Sequence, residues 1–318
     1  MMTPAPAKSL AASSGLPAID WAGFEPFPSH LLGVSSFDAS DSDKVRTYLN
    51  WAALFRTWDI PVPFPDALDD ADWGDAARNL FNDANDLLTE WLTQGELRAE
   101  VVFGVWQASA VGDQVVVHPG DAALGTQTVR LVFPRLPLPN ASMYCAADFI
   151  KPAASLKPGE SDYIGGYAVR LREDIREPIG QLAAAPDEYR SLLSADLREL
   201  YRSAVIDYLH YRLRRFIWAY CDDDDLSNEE VLTGLHQGIR VDISGRECSG
   251  LDGPRQDSSN QTEQAKLLQL LNVADWAVDR SSGDVENPSS VVCGYFFAHP
   301  KSRNFPSESM PGESIRPL

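Results

Sequence analysis

Two segments of the chain show the apolar spacing of helices. From Asp75 to Leu92, apolar residues recur every three or four positions, which predicts an amphipathic helix that ends at Gln94 and Gly95. A second pattern of this kind runs from Asp187 to Tyr220 and predicts a helix about 50 Å long. We expect so long a helix to cross one face of a sheet.

The remaining apolar positions form short segments between turn residues, the pattern of a sheet. A hairpin turn is predicted at Ala110–Gln114, and the pair Gly165-Gly166 predicts a bulge or a close approach to the backbone. The predicted strands are Val101–Trp106, Val115–His118, Val129–Phe133, Tyr163–Leu171 and Val291–His299. These strands predict an antiparallel meander, and the chain length favours a domain of α/β or α+β type.

Three polar segments rich in Pro, Ser and small residues set the predicted limits of the folded region. Residues 1–14 and 301–318 have too few apolar anchors to order themselves, and we expect them to be tails. Ser249–Gln264 has the same composition and predicts a long surface loop. The sequence therefore predicts one domain over residues 15–300.

The charge balance limits the classes of partner. The chain of 318 residues carries 46 Asp and Glu against 27 Lys and Arg, a net charge of −19. Such an excess repels nucleic acids and anionic lipid surfaces, and no apolar run has the length of a membrane helix. The first 15 residues lack the features of a secretion signal. We therefore expect a cytoplasmic protein without nucleic-acid or membrane partners.

Metal and nucleophile chemistry have little support in the sequence. The four cysteines show neither a CxxC motif nor zinc spacing, which predicts free thiols. The carboxylates at Asp222–Asp225 are adjacent and cannot all converge on one ion, so we interpret them as a solvated turn and predict no metal site. Common motifs for nucleotide or hydrolase chemistry are absent from the sequence.

A series of short motifs resembles the activation domain of cobalamin-dependent methionine synthase, the module that binds S-adenosylmethionine (SAM) during reductive reactivation of the corrinoid. The matches extend over about residues 16–300 and keep the order of the family. They are Ile19–Trp21, Tyr48–Trp51, Phe55–Trp58, Leu80–Asn85, Val102–Trp106, Val111–Asp113, Ala147–Phe149, Asp162–Gly165, Tyr208–His210, Leu226–Glu230, Gly238–Arg240 and Tyr295–Pro300.

The resemblance implies a C-shaped α+β domain built round a long twisted antiparallel sheet with flanking helices. In the relatives this domain belongs to a far larger enzyme, whereas this sequence shows no cobalamin, folate or homocysteine module. We therefore do not expect a complete methionine synthase. We expect a divergent, stand-alone homologue of one module.

The site residues implied by the resemblance are only partly retained. Arg240 matches the arginine that reaches the SAM carboxylate, a contact suited to the fork of a guanidinium. Asn50, Ser203 and Gly234 stand where the family has acidic residues, and Tyr295 is a candidate ligand neighbour. Loss of carboxylates from a partly dry site costs about 1 to 3 kcal/mol each for a cationic ligand. We therefore predict that Arg240, Asn50, Tyr295 and Ser203 bind an amino-acid-like ligand that differs from SAM, with SAM as the alternative.

Each of these residues also has a structural interpretation that the sequence leaves open. In the structural interpretation, Arg240 pairs with an acid such as Glu229 or Glu230. Asn50 is then a helix cap or a turn residue. Tyr295 is then an ordinary core residue of a buried strand. His210 is then a hydrogen-bonded core histidine on the long helix.

The sequence leaves three functional hypotheses open. The first is a ligand-binding protein of specialised bacterial metabolism. The second is an enzyme for intramolecular displacement or elimination, such as aziridine-ring formation by sulfate loss in an azinomycin-type pathway, with Asp242 or Glu247 as the candidate proton acceptor. The third is an accessory subunit or reactivase that forms a hetero-oligomer with a partner protein.

Overall fold

The structure is a computed structural model that describes residues 19–37, 39, 42–120, 128–137, 143–173, 188–221, 238–243, 258–277, 291–300 and 302. These residues contain five α-helices, which are α1 (Ser42–Arg46), α2 (Trp51–Thr57), α3 (Gly74–Gln94), α4 (Glu188–Arg212) and α5 (Ser258–Leu270). A π-helix at Leu213–Ile217 continues α4. The strands are β1 (Gly33–Phe37), β2 (Leu97–Val111), β3 (Gln114–His118), β4 (Val129–Val132), β5 (Leu136–Pro137), β6 (Met143–Tyr144), β7 (Asp162–Glu173), β8 (Ile239–Asp242) and β9 (Val291–Phe297).

A curled antiparallel sheet is the centre of the fold. Its strands follow the order β4-β3-β2-β7-β9-β8, and β1 also pairs with β2. The long strand β2 pairs with β7 along Leu97–Ala108, while its other edge holds first β1 and then β3. Strands β5 and β6 form a separate two-stranded ladder. The predicted α+β class and antiparallel sheet are confirmed.

Both faces of the sheet are covered by helices. Side chains of a strand alternate between faces, and on one face Phe103, Tyr167 and Phe296 pack in a core with residues of α1 to α4. On the other face Trp106 and Tyr295 pack in a second core with residues of α5. Because both faces are dry, every residue of β9 is buried, which explains the uninterrupted apolar run in its sequence.

Most of the predicted elements are present, and α3, β2, β3 and β7 run beyond their predicted bounds. The first predicted helix is α3, and Gly95 ends it in the left-handed conformation at φ 70°. The predicted hairpin connects β2 and β3 through Gly112, at φ 62°. The prediction of an α-helix as far as Tyr220 is wrong, because the chain changes to a π-helix after Arg212 and Ala219 has a positive φ.

The predicted surface loop is wrong in its second half. Residues 258–264 of Ser249–Gln264 belong to α5 rather than to a loop. The polar composition of these residues concealed a helix whose later turns carry Leu267, Leu268 and Leu271, which are fully buried in the second core. Residues 249–257, the predicted tail at 1–14 and residues 301 and 303–318 of the tail predicted at 301–318 lie outside the described residues. Ser302 is the one described residue of that tail, and it is fully buried.

The structure also bears on the expectations for the cysteines and for membrane helices. Cys145, Cys221 and Cys293 are buried and form no disulfide, which agrees with the prediction, whereas Cys248 lies outside the described residues. Among the helices described, none is long and apolar enough to cross a lipid bilayer.

Close packing between β8 and β9 requires a glycine at position 294. A Cβ atom there would collide with the carbonyl oxygen of Val241 in β8 and lie 2.8 Å from the Tyr167 hydroxyl. Gly165 in β7 is less restricted, because its nearest neighbour would be 3.2 Å from the added atom.

We predict that Gly294→Ala lowers the free energy of unfolding by about 3 kcal/mol, because the backbone of β8 must move to admit a methyl group. Gly165→Ala is the matched control on the adjacent strand and should cost less. Urea unfolding measures both values. Equal losses in the two variants would contradict the close approach of β8 to β9.

A buried polar cluster anchors the loop before β7. The Lys151 side chain is 1% exposed, and its Nζ donates to Glu160 Oε1 at 2.7 Å and to the Phe24 carbonyl oxygen at 2.8 Å. Asp162 accepts from the backbone N–H groups of Lys151 and Tyr163. Burial raises the pKa of Asp162 from about 3.8 to about 6, although these hydrogen bonds oppose the shift.

This raised pKa predicts a pH dependence with a defined sign. A carboxyl with a higher pKa in the folded state holds its proton more tightly there, so it stabilises the fold below about pH 4 and this contribution is lost as the pH rises through about 6. The free energy of unfolding of the wild type minus that of Asp162→Asn should therefore fall by about 3 kcal/mol over this range. Urea unfolding at a series of pH values measures it, and a constant difference would contradict the prediction.

Candidate functional site

The candidate site lies where the edge strand β8 meets the long helix α4. Arg240 of β8 pairs in register with Phe296 of β9, and partners in register lie on the same face of a sheet. This face is the one that packs against α4. Arg240 Nη1 donates to Asp207 Oδ1 of α4 at 2.5 Å, and the two side chains are 20% and 25% exposed.

The partner of Arg240 differs from the one considered in the sequence. The structural alternative was Glu229 or Glu230, both of which lie outside the described residues. Burial raises the pKa of Asp207, while the positive charge of Arg240 opposes the rise. A half-buried cation and anion in contact, both still within reach of solvent, form a site that a zwitterion can occupy.

A stripe of polar side chains follows one face of α4 and its π-helical end. Ser203, Asp207, His210 and Arg214 are separated by four, three and four residues, the spacing that places helical residues on one face. We call these four residues the α4 stripe. Ser203 is half-buried one turn before Asp207. Ser203 therefore lies one helical turn from Asp207, the residue that contacts Arg240.

His210 makes the contacts of a core histidine. Its ring stacks on Phe296 with centroids 4.7 Å apart, and its Nε2 lies 3.0 Å from the Tyr220 hydroxyl. These contacts hold α4 on β9. They agree with the structural interpretation of His210.

Asn50 caps the helix α2, which was the structural alternative for this residue. Its Oδ1 accepts a hydrogen bond from the Ala53 backbone N–H at 3.0 Å. The nearby Tyr48 packs on Tyr208 and Tyr211 of α4, with ring centroids 5.6 and 5.9 Å apart. Asn50 thus lies on the α4 side of the sheet, and its role in ligand binding stays a prediction.

Tyr295 is on the opposite face of the sheet from Arg240. It pairs in register with Val241 and packs on Phe133, with ring centroids 5.3 Å apart, in the core that contains α5. Its side chain is 1% exposed, and its hydroxyl has no hydrogen-bond partner among the described residues. The structure therefore does not bring Tyr295 and Arg240 together, because adjacent residues of β9 alternate between faces.

The structure does not test the two candidate proton acceptors, Asp242 and Glu247. Asp242 is the last residue of β8 and pairs with Gly294. Glu247 and Gly234 lie outside the described residues. A catalytic role for Asp242 or Glu247 stays a prediction. The described residues contain no group of His, Cys, Asp and Glu side chains suited to a metal ion.

Sequence reasoning missed Asp207 and Arg214. The available signal was the spacing of four from Ser203 to Asp207 and of seven from Asp207 to Arg214.

Two comparisons with known proteins agree with this architecture. A family model described as "Vitamin B12 dependent methionine synthase, activation domain" matches residues 41–315. A solved structure described as "Crystal Structure of the MetH Reactivation Domain bound to AdoHcy" superposes with a TM-score of 0.70 at 30% sequence identity. The match covers 91% of this chain and 85% of that one.

The contact between Asp207 and Arg240 predicts an energetic coupling. In a double-mutant cycle of Asp207→Asn and Arg240→Gln, we expect a coupling energy of about 0.5 to 3 kcal/mol at neutral pH, because each single variant leaves a half-buried charge behind. The exposed pair of Arg78 and Asp75 is the control and should couple more weakly. Urea unfolding gives the four free energies of each cycle, and additive losses at Asp207 and Arg240 would contradict the pairing.

Proposed function

Because this chain belongs to the family of the vitamin B12-dependent methionine synthase activation domain, we propose that it binds a small amino-acid-like ligand where β8 meets α4. The observation that carries the proposal is the contact between Arg240 and Asp207. The chain supplies at this point one group for each charge of an amino-acid head group.

The charges of the pair match those of an amino acid. The guanidinium of Arg240 is suited to a carboxylate, which it can hold through two parallel hydrogen bonds. The carboxylate of Asp207 is suited to the ammonium group. A bound head group replaces each partner by a group of the same charge, so neither protein charge is left buried without a counter-charge.

The loss of acidic residues supports a ligand other than SAM. The solved relative is described with S-adenosylhomocysteine (AdoHcy), which is a neutral thioether where SAM has a positive sulfonium. Asn50 and Ser203 stand where the resemblance implies acids, and both are neutral. Asp207, one turn after Ser203, is already in contact with Arg240. Without these acids the site stabilises the positive sulfonium of SAM less, whereas the neutral thioether of AdoHcy is unaffected by their loss.

We predict that isothermal titration calorimetry shows tighter binding of AdoHcy than of adenosine, which lacks the amino-acid head group. Arg240→Gln and Asp207→Asn should each weaken AdoHcy binding at least about tenfold, the effect of losing one charged contact. Arg172→Gln, at an exposed arginine of β7, is the matched control and should bind normally. Equal binding of adenosine and AdoHcy, or an unaffected Arg240→Gln, would contradict the proposal.

The ligand preference has its own comparison within the same titrations. Wild-type protein should bind AdoHcy at least as tightly as SAM, and Asn50→Asp combined with Ser203→Glu should shift the preference towards SAM. Aspartate also caps helices, so this variant should keep α2 intact. Micromolar binding of SAM to the wild type, tighter than that of AdoHcy, would show that the site has kept its original ligand.

A further inference from the structure

Arg214 is a buried cation at the end of the α4 stripe. Its side chain is 1% exposed and belongs to the π-helix that continues α4. Its Nε and Nη1 atoms are buried without a hydrogen-bond partner, and no carboxylate in the described part of the chain forms an ion pair with it. An unpaired guanidinium inside a protein is costly, since the charge loses its water without gaining a counter-charge.

Other buried cations of this fold are paired. Lys151, with the same exposed fraction, contacts Glu160 and a backbone carbonyl oxygen. Arg202, also buried on α4, contacts Glu199. Arg214 therefore differs from these two buried cations, each of which contacts a carboxylate.

The charge of Arg214 acts on two neutral phenols, Tyr48 and Tyr220. Burial raises the pKa of both Tyr48 and Tyr220, and the charge of Arg214 opposes the rise in both cases. Both phenols stay protonated and cannot neutralise the guanidinium, and the Tyr220 hydroxyl already contacts His210 Nε2 at 3.0 Å. The buried Nε and Nη1 of Arg214 are themselves donors suited to an oxyanion.

Arg214 lies on the same face of the helical segment as Asp207 of the candidate site. It follows Asp207 by seven residues, which is two helical turns or about 10 Å along the same face of α4. Tyr48 packs on Tyr208 and Tyr211 of the same helical stretch, with ring centroids 5.6 and 5.9 Å apart. A π-helical segment is itself frequent at functional sites.

We propose that Arg214 is a second anion subsite of the same ligand. The ligand is then an amino-acid derivative that carries, besides its head group, a second oxyanion group, which is a carboxylate, sulfate or phosphate. This inference rests on the proposed function, since Arg240 and Asp207 hold the head group. Side chains cover Arg214 in this structure, so binding includes a local movement that opens the subsite.

Thermal unfolding with inorganic phosphate tests the subsite without the unknown ligand. At constant ionic strength, millimolar phosphate should raise the melting temperature of the wild type in a saturable manner, and Arg214→Met should abolish this shift. Arg240→Gln should keep it, as should the control Arg172→Gln. Without phosphate, Arg214→Met should melt about 1 to 3 °C above the wild type, because an unpaired buried charge is removed.

Several outcomes would overturn the subsite. A lower melting temperature of Arg214→Met without phosphate would mean that the guanidinium has a structural partner, as would failure of both Arg214→Met and Arg214→Lys to fold. A phosphate shift that persists in Arg214→Met, or no shift in the wild type, would place no anion at Arg214. A shift lost only in Arg240→Gln would put the anion at the head-group site, which contradicts the subsite and leaves the proposed function intact. A wild-type protein that shows the phosphate shift but does not bind AdoHcy would contradict the proposed function and leave the anion site at Arg214 intact.

Discussion

The pairing of β8 with β9 fixes the position of the one arginine on which the candidate site depends. Arg240 lies opposite Phe296, so it points towards α4, whereas a shift of one residue would turn it to the face of Tyr295. Gly294 permits this pairing because its missing side chain leaves room for the Val241 carbonyl oxygen. The contact of Arg240 with Asp207 is therefore a consequence of sheet register as much as of charge.

The charges on the α4 face explain why this surface is suited to a ligand rather than to stability alone. Asp207 and Arg240 neutralise each other at a half-buried position that solvent still reaches. Arg214 is buried without a counter-charge among the described residues, an arrangement that costs stability. A fold that pairs Lys151 with Glu160 elsewhere has the means to avoid this cost.

The sequence predicted the parts of the fold that carry strong periodicity. The helix α3, the β2–β3 hairpin and β9 follow from apolar spacing and turn residues, and the motifs indicated the family. The start of α5 escaped prediction because its first turns are polar, and its buried leucines, Leu267, Leu268 and Leu270, lie near its end. Asp207 and the true face of Tyr295 depend on strand register and helix phase across distant segments. These are tertiary properties that a local pattern does not contain.

A crystal structure of the protein soaked with L-methionine tests the central claim most directly, because it shows where an amino-acid head group binds. The account predicts the methionine carboxylate within hydrogen-bond distance of the Arg240 guanidinium and the ammonium group against the Asp207 carboxylate. Electron density for methionine at another place, with Arg240 and Asp207 still joined to each other, would contradict it.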